Sequence, residues 1–176
     1  MAFSYLMRGF EKSEENICGL YLCDKSKAIQ LFTKTIDQPI PKGKFRREEE
    51  AFLMGRVLMA GYICNDSPSA DNINLLIKID VSAGNEDVRS AFYRSIPSEP
   101  TTKEAISRLE NAVREETERL PLATAIQKLM ACYGLIFNIH DQDYKRIYRS
   151  LASSIENEKQ SHMDELKKLG SLVYAK

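Results

Sequence analysis

Glycine and proline are scarce in this chain, at 8 and 6 of 176 residues. That scarcity argues against collagen-like repeats, long disordered tracts and turn-rich all-β folds. Net charge is missing as well. Lys and Arg total 25 and Asp and Glu total 25, which excludes a histone-like basic chain and an acidic disordered tail. Long apolar runs are absent. The longest, Leu129–Phe137 (LMACYGLIF), is about half of what a membrane-spanning helix needs, so no membrane span is expected. The opening MAFSYLMRGFEKSEE has no basic-then-apolar stretch and no small-residue cleavage site, so no secretory signal is expected.

The motifs of common chemistries are also missing. There is no GxSxG and no Gly-rich phosphate loop, since Gly43-Lys44 stands alone. Cys18, Cys23, Cys64 and Cys132 fit neither zinc nor CxxC spacing, and they read as free thiols in a reducing cytoplasm. Cys132 sits in an apolar run, where a thiol stays protonated and inert. These absences predict a chain that is not an enzyme and holds no cofactor.

What is present is helical patterning. Hydrophobic residues are 43% and charged residues 28% of the chain, enough for one domain with its own core. The spacing predicts an all-α fold, a compact bundle of about six or seven helices spanning 1–176. An N-terminal segment and basic loop occupy 1–45, a helical core 46–160, and a C-terminal helix from 161 to 176 projects or pairs with another chain. Asp24 or Ser26 is placed to cap a helix running to Ile36, and DQPIPKGKF (37–45) is a loop. Glu48, Glu49 and Glu50 suit the first turn of the next helix. Val57–Cys64 is apolar all round, as a buried helix is, and 122–137 reads as a second buried helix opened by Pro121. Residues 17–23 and 73–81 fit either strand or helix, with helix preferred for the latter. Thr101 and Glu104 look like a capping box for a helix over 102–119. From Tyr144 one helix continues to about Val173, with Ile155 on its inner face and a weak break near Ser161. Leu166, Leu169 and Val173 extend its apolar stripe, which suits self-association.

Leu58-Met59-Ala60-Gly61-Tyr62 and Leu129-Met130-Ala131-Cys132-Tyr133 agree at four of five positions. Each is followed by a polar turn and an amphipathic stretch, a helix–loop–helix pseudo-repeat in which two apolar helices are shielded by their neighbours. This pattern is faintly similar to the all-helical TerB-like family, built of two helix–acidic-loop–helix halves. The family's Ala-Asp-Gly loop is absent, because residues 64–67 read Cys-Asn-Asp-Ser, so the chain is not assigned to it.

One charge anomaly stands out. Lys25, Lys27, Lys34, Lys42, Lys44, Arg46 and Arg47 face only Asp37 between residues 25 and 47. Within it, Lys42, Lys44, Phe45, Arg46 and Arg47 combine cations with an aromatic ring. That combination contacts an acidic partner, or phosphates and an unpaired base. The blander alternative pairs the cations with Glu48–Glu50 and staples Phe45 into the core. Metal ligation has two weak candidates, His140/Asp141/Asp143 and Glu158/His162/Glu165; helix capping and a solvated face explain them more simply. Tyr133, Tyr144 and Tyr148 cluster at the second polar turn, as core-edge tyrosines do or as the lining of a ligand groove. The function expected first is a cytoplasmic protein-interaction module: an adaptor, an effector- or immunity-type protein, or an accessory subunit. The alternative is a nucleic-acid-binding helical protein using 25–47, and a metal-dependent enzyme comes third.

Overall fold

The computed structural model describes residues 2–138 and 140–173, with side chains described as far as 168. The described residues form ten α-helices and no strand. They are α1 Ala2–Leu6, α2 Glu14–Cys23, α3 Lys25–Ile36, α4 Arg46–Asp66, α5 Ala70–Ile77, α6 Glu86–Ser95, α7 Lys103–Glu115, α8 Arg119–Cys132, α9 Gln142–Leu151 and α10 Glu156–Val173, with a 3-10 turn at Phe10–Lys12. The all-α expectation holds, with more and shorter helices than six or seven. No described helix is long and apolar enough to cross a membrane.

The extra helices have local causes. The Ser13 hydroxyl accepts from Asn16 N–H and starts α2, and the Asp24 carboxylate accepts from Lys27 N–H and starts α3. The ambiguous 17–23 stretch is therefore helix. Ser69 caps α5 through Asn72 N–H, and that helix ends at Ile77, four residues before the sequence pattern does.

Helix α4 is the axle. Leu53, Val57, Ala60 and Cys64 face the main core, whereas Met59 and Ile63 face a second cluster with Phe10, Ile17, Leu20, Ala28 and Phe32. A helix buried on both sides needs apolar residues all round, which is why 57–64 carries no charge. On its main-core side α4 packs on α6, and α6 packs in turn on α8. Phe92, Ile126, Leu129 and Met130 are fully buried there. Each such side chain contributes about 1.5–3 kcal/mol by leaving water.

Three expectations are corrected. The second buried helix stops at Cys132 rather than at 137, because Gly134 adopts a left-handed φ of 81°. Gly134 N–H bonds Ala131 C=O at 3.0 Å and Leu135 N–H bonds Met130 C=O at 2.9 Å, the paired bonds of a Schellman stop. Helix α7 is capped by Thr102, whose hydroxyl accepts from Ala105 N–H, so Thr101 and Glu104 make no capping box. It ends at Glu115, so Glu115 and Arg119 do not share a helix. Finally, 144–173 is two helices. The chain leaves α9 at Ala152, and Ser153 Oγ accepts from Ile155 N–H at 3.1 Å. Ile155 is 54% exposed, not on an inner face.

That break folds α10 back on α9 and α7, so its described part does not project. Met163 and Leu166 are buried in the main core. Lys159 Nζ donates to Val113 C=O at 3.1 Å, satisfying a carbonyl left over at the C-terminus of α7. The proposed self-association stripe thus loses Leu166 to the chain's own core. The side chains of Leu169 and Val173 lie outside the described residues.

The thiols divide by burial. Cys23 is exposed, while Cys64 and Cys132 are buried. Burial pushes the Cys64 thiol up to about 11, and it raises Cys132 as well. An aromatic disulfide reagent is expected to label Cys23 rapidly and the two buried thiols only in denaturant. The raised Cys64 value also sets a pH dependence. Between the ordinary thiol value of 9.0 and about 11 the unfolded chain has lost this proton and the folded chain keeps it, so stability falls as pH rises through that window. Cys64→Ala is expected to flatten that part of a pH–stability curve, and an unchanged slope would contradict the assignment.

Candidate functional site

Of the residues singled out for binding, Lys42, Lys44 and Phe45 lie at the end of the α3–α4 loop, and Arg46 and Arg47 open α4. Pro39 and Pro41 keep this stretch out of helix. Gly43 lets it fold onto the first turn of α4, where a Cβ would come within 2.9 Å of Glu48 Cβ and 3.0 Å of Glu49 N. Glu48 then ties the loop to the 3-10 turn. Its carboxylate accepts from Lys44 N–H at 3.1 Å and from Lys12 Nζ at 2.7 Å. The Lys12 bond, and next the Lys44 N–H, hold the Glu48 carboxyl below its usual range.

Phe45 is the residue this arrangement presents. It is the N-cap of α4, in extended conformation and with no side-chain capping bond. Its side chain is 75% exposed, so it is not stapled into the core. Arg46 pairs with Glu50 at 3.1 Å. Lys42, Lys44 and Arg47 are exposed and make no ion pair among the described residues. The rest of the basic tract is largely spent inside the chain: Lys25 pairs with Asp66 and Lys27 with Asp24.

One cleft adjoins the loop and another the first turn of α4. The first, of about 450 Å³, runs along Ile40, Pro41, Lys42, Leu53 and Asp80. The other, of about 480 Å³, carries Lys12, Arg47 and Arg94 against Glu14, Glu50 and Asp87. The second is balanced in charge. Its Ser90 is engaged with Thr124 at 2.8 Å, and neither histidine lines it, so it presents no nucleophile–base pair.

The metal candidates are otherwise occupied. Asp141 caps α9, accepting from Asp143 and Tyr144 N–H, and Asp143 pairs with Arg146. His162 Nδ1 lies 3.0 Å from the Glu158 carbonyl oxygen, and Arg146 reaches Nε2 at 3.1 Å. Donation from Nδ1 and acceptance at Nε2 satisfy both contacts. Glu165 is held by Arg146 through two bonds, which keeps its carboxyl below the ordinary range. Among the described residues no group of three or more His, Cys, Asp or Glu is placed to hold a metal.

The tyrosine cluster divides. The Tyr133 hydroxyl donates to Glu110 at 3.0 Å, whereas Tyr144 and Tyr148 stack with ring centroids 6.4 Å apart. Sequence reasoning missed the part that Phe137 plays beside them, because the run LMACYGLIF reads as continuous helix until Gly134 is recognised as its stop. It also missed a part-buried polar knot in which Glu116 accepts from Arg89 and Tyr93. Comparison with known proteins finds no matching family model, no matching curated protein and no matching solved structure.

Proposed function

We propose that this chain is a non-enzymatic, cytoplasmic interaction module, serving as an adaptor, an effector- or immunity-type protein or an accessory subunit, and that it holds a partner protein through the Lys42–Arg47 loop. The observation that carries this reading is Phe45, a large aromatic side chain left 75% exposed on a loop fastened by Glu48 and Gly43. Aromatic and Arg side chains supply most binding hot spots. The complement is an apolar pocket on the partner with carboxylates at its rim, facing Lys42, Lys44 and Arg47.

A nucleic-acid reading uses the same residues. What weighs against it is continuity: Lys25, Lys27 and Arg46 are neutralised within the chain. Glu49 and Asp80 line the adjoining cleft, so a phosphate backbone meets a broken basic track.

Purification of tagged chain from its own cells, alongside Phe45→Ala and the triple variant Lys42→Glu/Lys44→Glu/Arg47→Glu, tests the proposal. A protein recovered with the wild type and lost from both variants is the expected result. Retention of that protein by both variants would overturn it. So would salt-sensitive binding of short RNA or DNA probes that Ala at these positions abolishes.

A further inference from the structure

The Schellman stop of α8 turns Leu135 back onto the core and sends the next residues outward. Ile136 and Phe137 are 83% and 60% exposed, and they stand beside an aromatic ladder. Phe137 meets Tyr144 edge-on, with centroids 5.4 Å apart and planes at 89°, and Tyr144 stacks on Tyr148 at 15°. These three rings, with Gln127, Lys145 and Arg149, line a groove of about 160 Å³. That is below the roughly 300–1,000 Å³ of pockets that enclose drug-sized ligands, and suits a single inserted side chain.

Charge identifies what brings that side chain. Lys145 and Arg149 sit four residues apart on α9, hence on one face, and both line the groove. Neither makes an ion pair among the described residues. Arg146, between them in sequence, is committed to Glu165 and Asp143. Two uncompensated cations at the lip of an apolar slot are complemented by carboxylates flanking an apolar residue. Phe45 of a second copy fits poorly, because it would arrive with Lys44, Arg46 and Arg47 and set like charges face to face.

The geometry points to a second docking surface, the α8–α9 aromatic groove, that takes an aromatic or long aliphatic anchor from an acidic peptide segment of another protein. It uses none of the Lys42–Arg47 residues. An interaction module with two separate basic-aromatic surfaces can bridge two partners, or grip one partner twice and gain from effective concentration.

Selection from a random-peptide phage library on the immobilised full chain tests this. The selected peptides are expected to carry one aromatic or long aliphatic residue flanked by Asp or Glu. Their binding, read by fluorescence polarisation, is expected to weaken about tenfold or more in Phe137→Ser and in Lys145→Glu/Arg149→Glu. It is expected to be unchanged in Lys42→Glu/Lys44→Glu/Arg47→Glu, which separates this surface from the first. Phe137 and Arg149 are exposed and Lys145 is half-buried; circular dichroism verifies that each variant is folded, and Arg149→Glu alone is read beside the double variant. Four results would overturn the proposal: no enrichment, enriched peptides without acidic residues, binding indifferent to both groove variants, or a groove that binds RNA oligonucleotides in place of peptides.

Discussion

Replacing Gly55 by alanine is expected to destabilise the fold by about 3 kcal/mol. Helix propensity alone would give the opposite sign, since alanine is favoured over glycine in a helix interior by about 1 kcal/mol. Packing decides the matter. A Cβ at position 55 would overlap the Glu11 carbonyl oxygen and come within 2.9 Å of its carbon. Both are backbone atoms, so no rotamer change relieves the contact. The 3-10 turn that carries Glu11 would have to move off α4, and the buried Arg56 of α4, which donates to the Thr35 carbonyl and to Glu11 Oε2, would lose its Glu11 partner. Urea denaturation is expected to show a lower midpoint with an unchanged slope. Gly61→Ala, where the obstacles are the Ser95 hydroxyl at 2.9 Å and Ser95 Cβ at 3.2 Å, is expected to lose less, because no backbone atom stands in the way and the hydroxyl can rotate off its bond to the Ala91 carbonyl. A Gly55→Ala protein as stable as the wild type would show that the N-terminal turn is not seated on α4 as described.

Removing the Glu116 carboxylate is expected to cost about the same, roughly 3 kcal/mol. One oxygen accepts from Arg89 Nε at 3.0 Å and from the Tyr93 hydroxyl at 2.7 Å, and the other accepts from Arg89 at 3.2 Å. Arg89 also donates to the Gly84 carbonyl at 2.6 Å, so this knot ties the α5–α6 connection, α6 and the end of α7 together. Glu116→Ala strands a mostly buried guanidinium and hydroxyl, and an unpartnered buried group bears its full desolvation cost. Glu116→Gln keeps the shape and one acceptor, and is expected to lose less. Burial, and next the bond to Glu116, raise the Tyr93 hydroxyl above its ordinary range. In Glu116→Ala, ultraviolet titration is expected to show Tyr93 ionising at lower pH than in the wild type. Equal stability of Glu116→Ala and wild type would mean that the knot is not formed in solution.

How much of this was legible in the sequence depends on the range of the interaction. Local chemistry was readable: Asp24 as one of two cap candidates, the prolines of 37–45 as a loop, Pro121 in a first turn, and 57–64 as a buried helix. Stops were harder. Gly134 ends α8 inside an apolar run because only the left-handed conformation separates a Schellman stop from a tolerated helical glycine. The Ala152–Ile155 break has no proline or glycine to announce it. Long-range effects were invisible. Lys12 reaching Glu48, and Lys159 capping α7, join residues far apart in sequence. The same holds for the candidate sites: the composition of Lys42–Arg47 was evident, but whether Phe45 faces the core or the solvent is decided by where Glu48 and Gly43 pull the loop. The Phe137–Tyr144–Tyr148 groove required knowing that Phe137 has left its helix.

Under the proposed function, a partner protein covers Phe45. Replacing Phe45 with a photoreactive benzophenone amino acid and irradiating the chain in its own cells tests it most directly. One discrete adduct is expected, which proteases destroy, nucleases leave intact, and which is lost when Lys42, Lys44 and Arg47 become Glu. A nuclease-sensitive adduct, or no adduct at all, would contradict it.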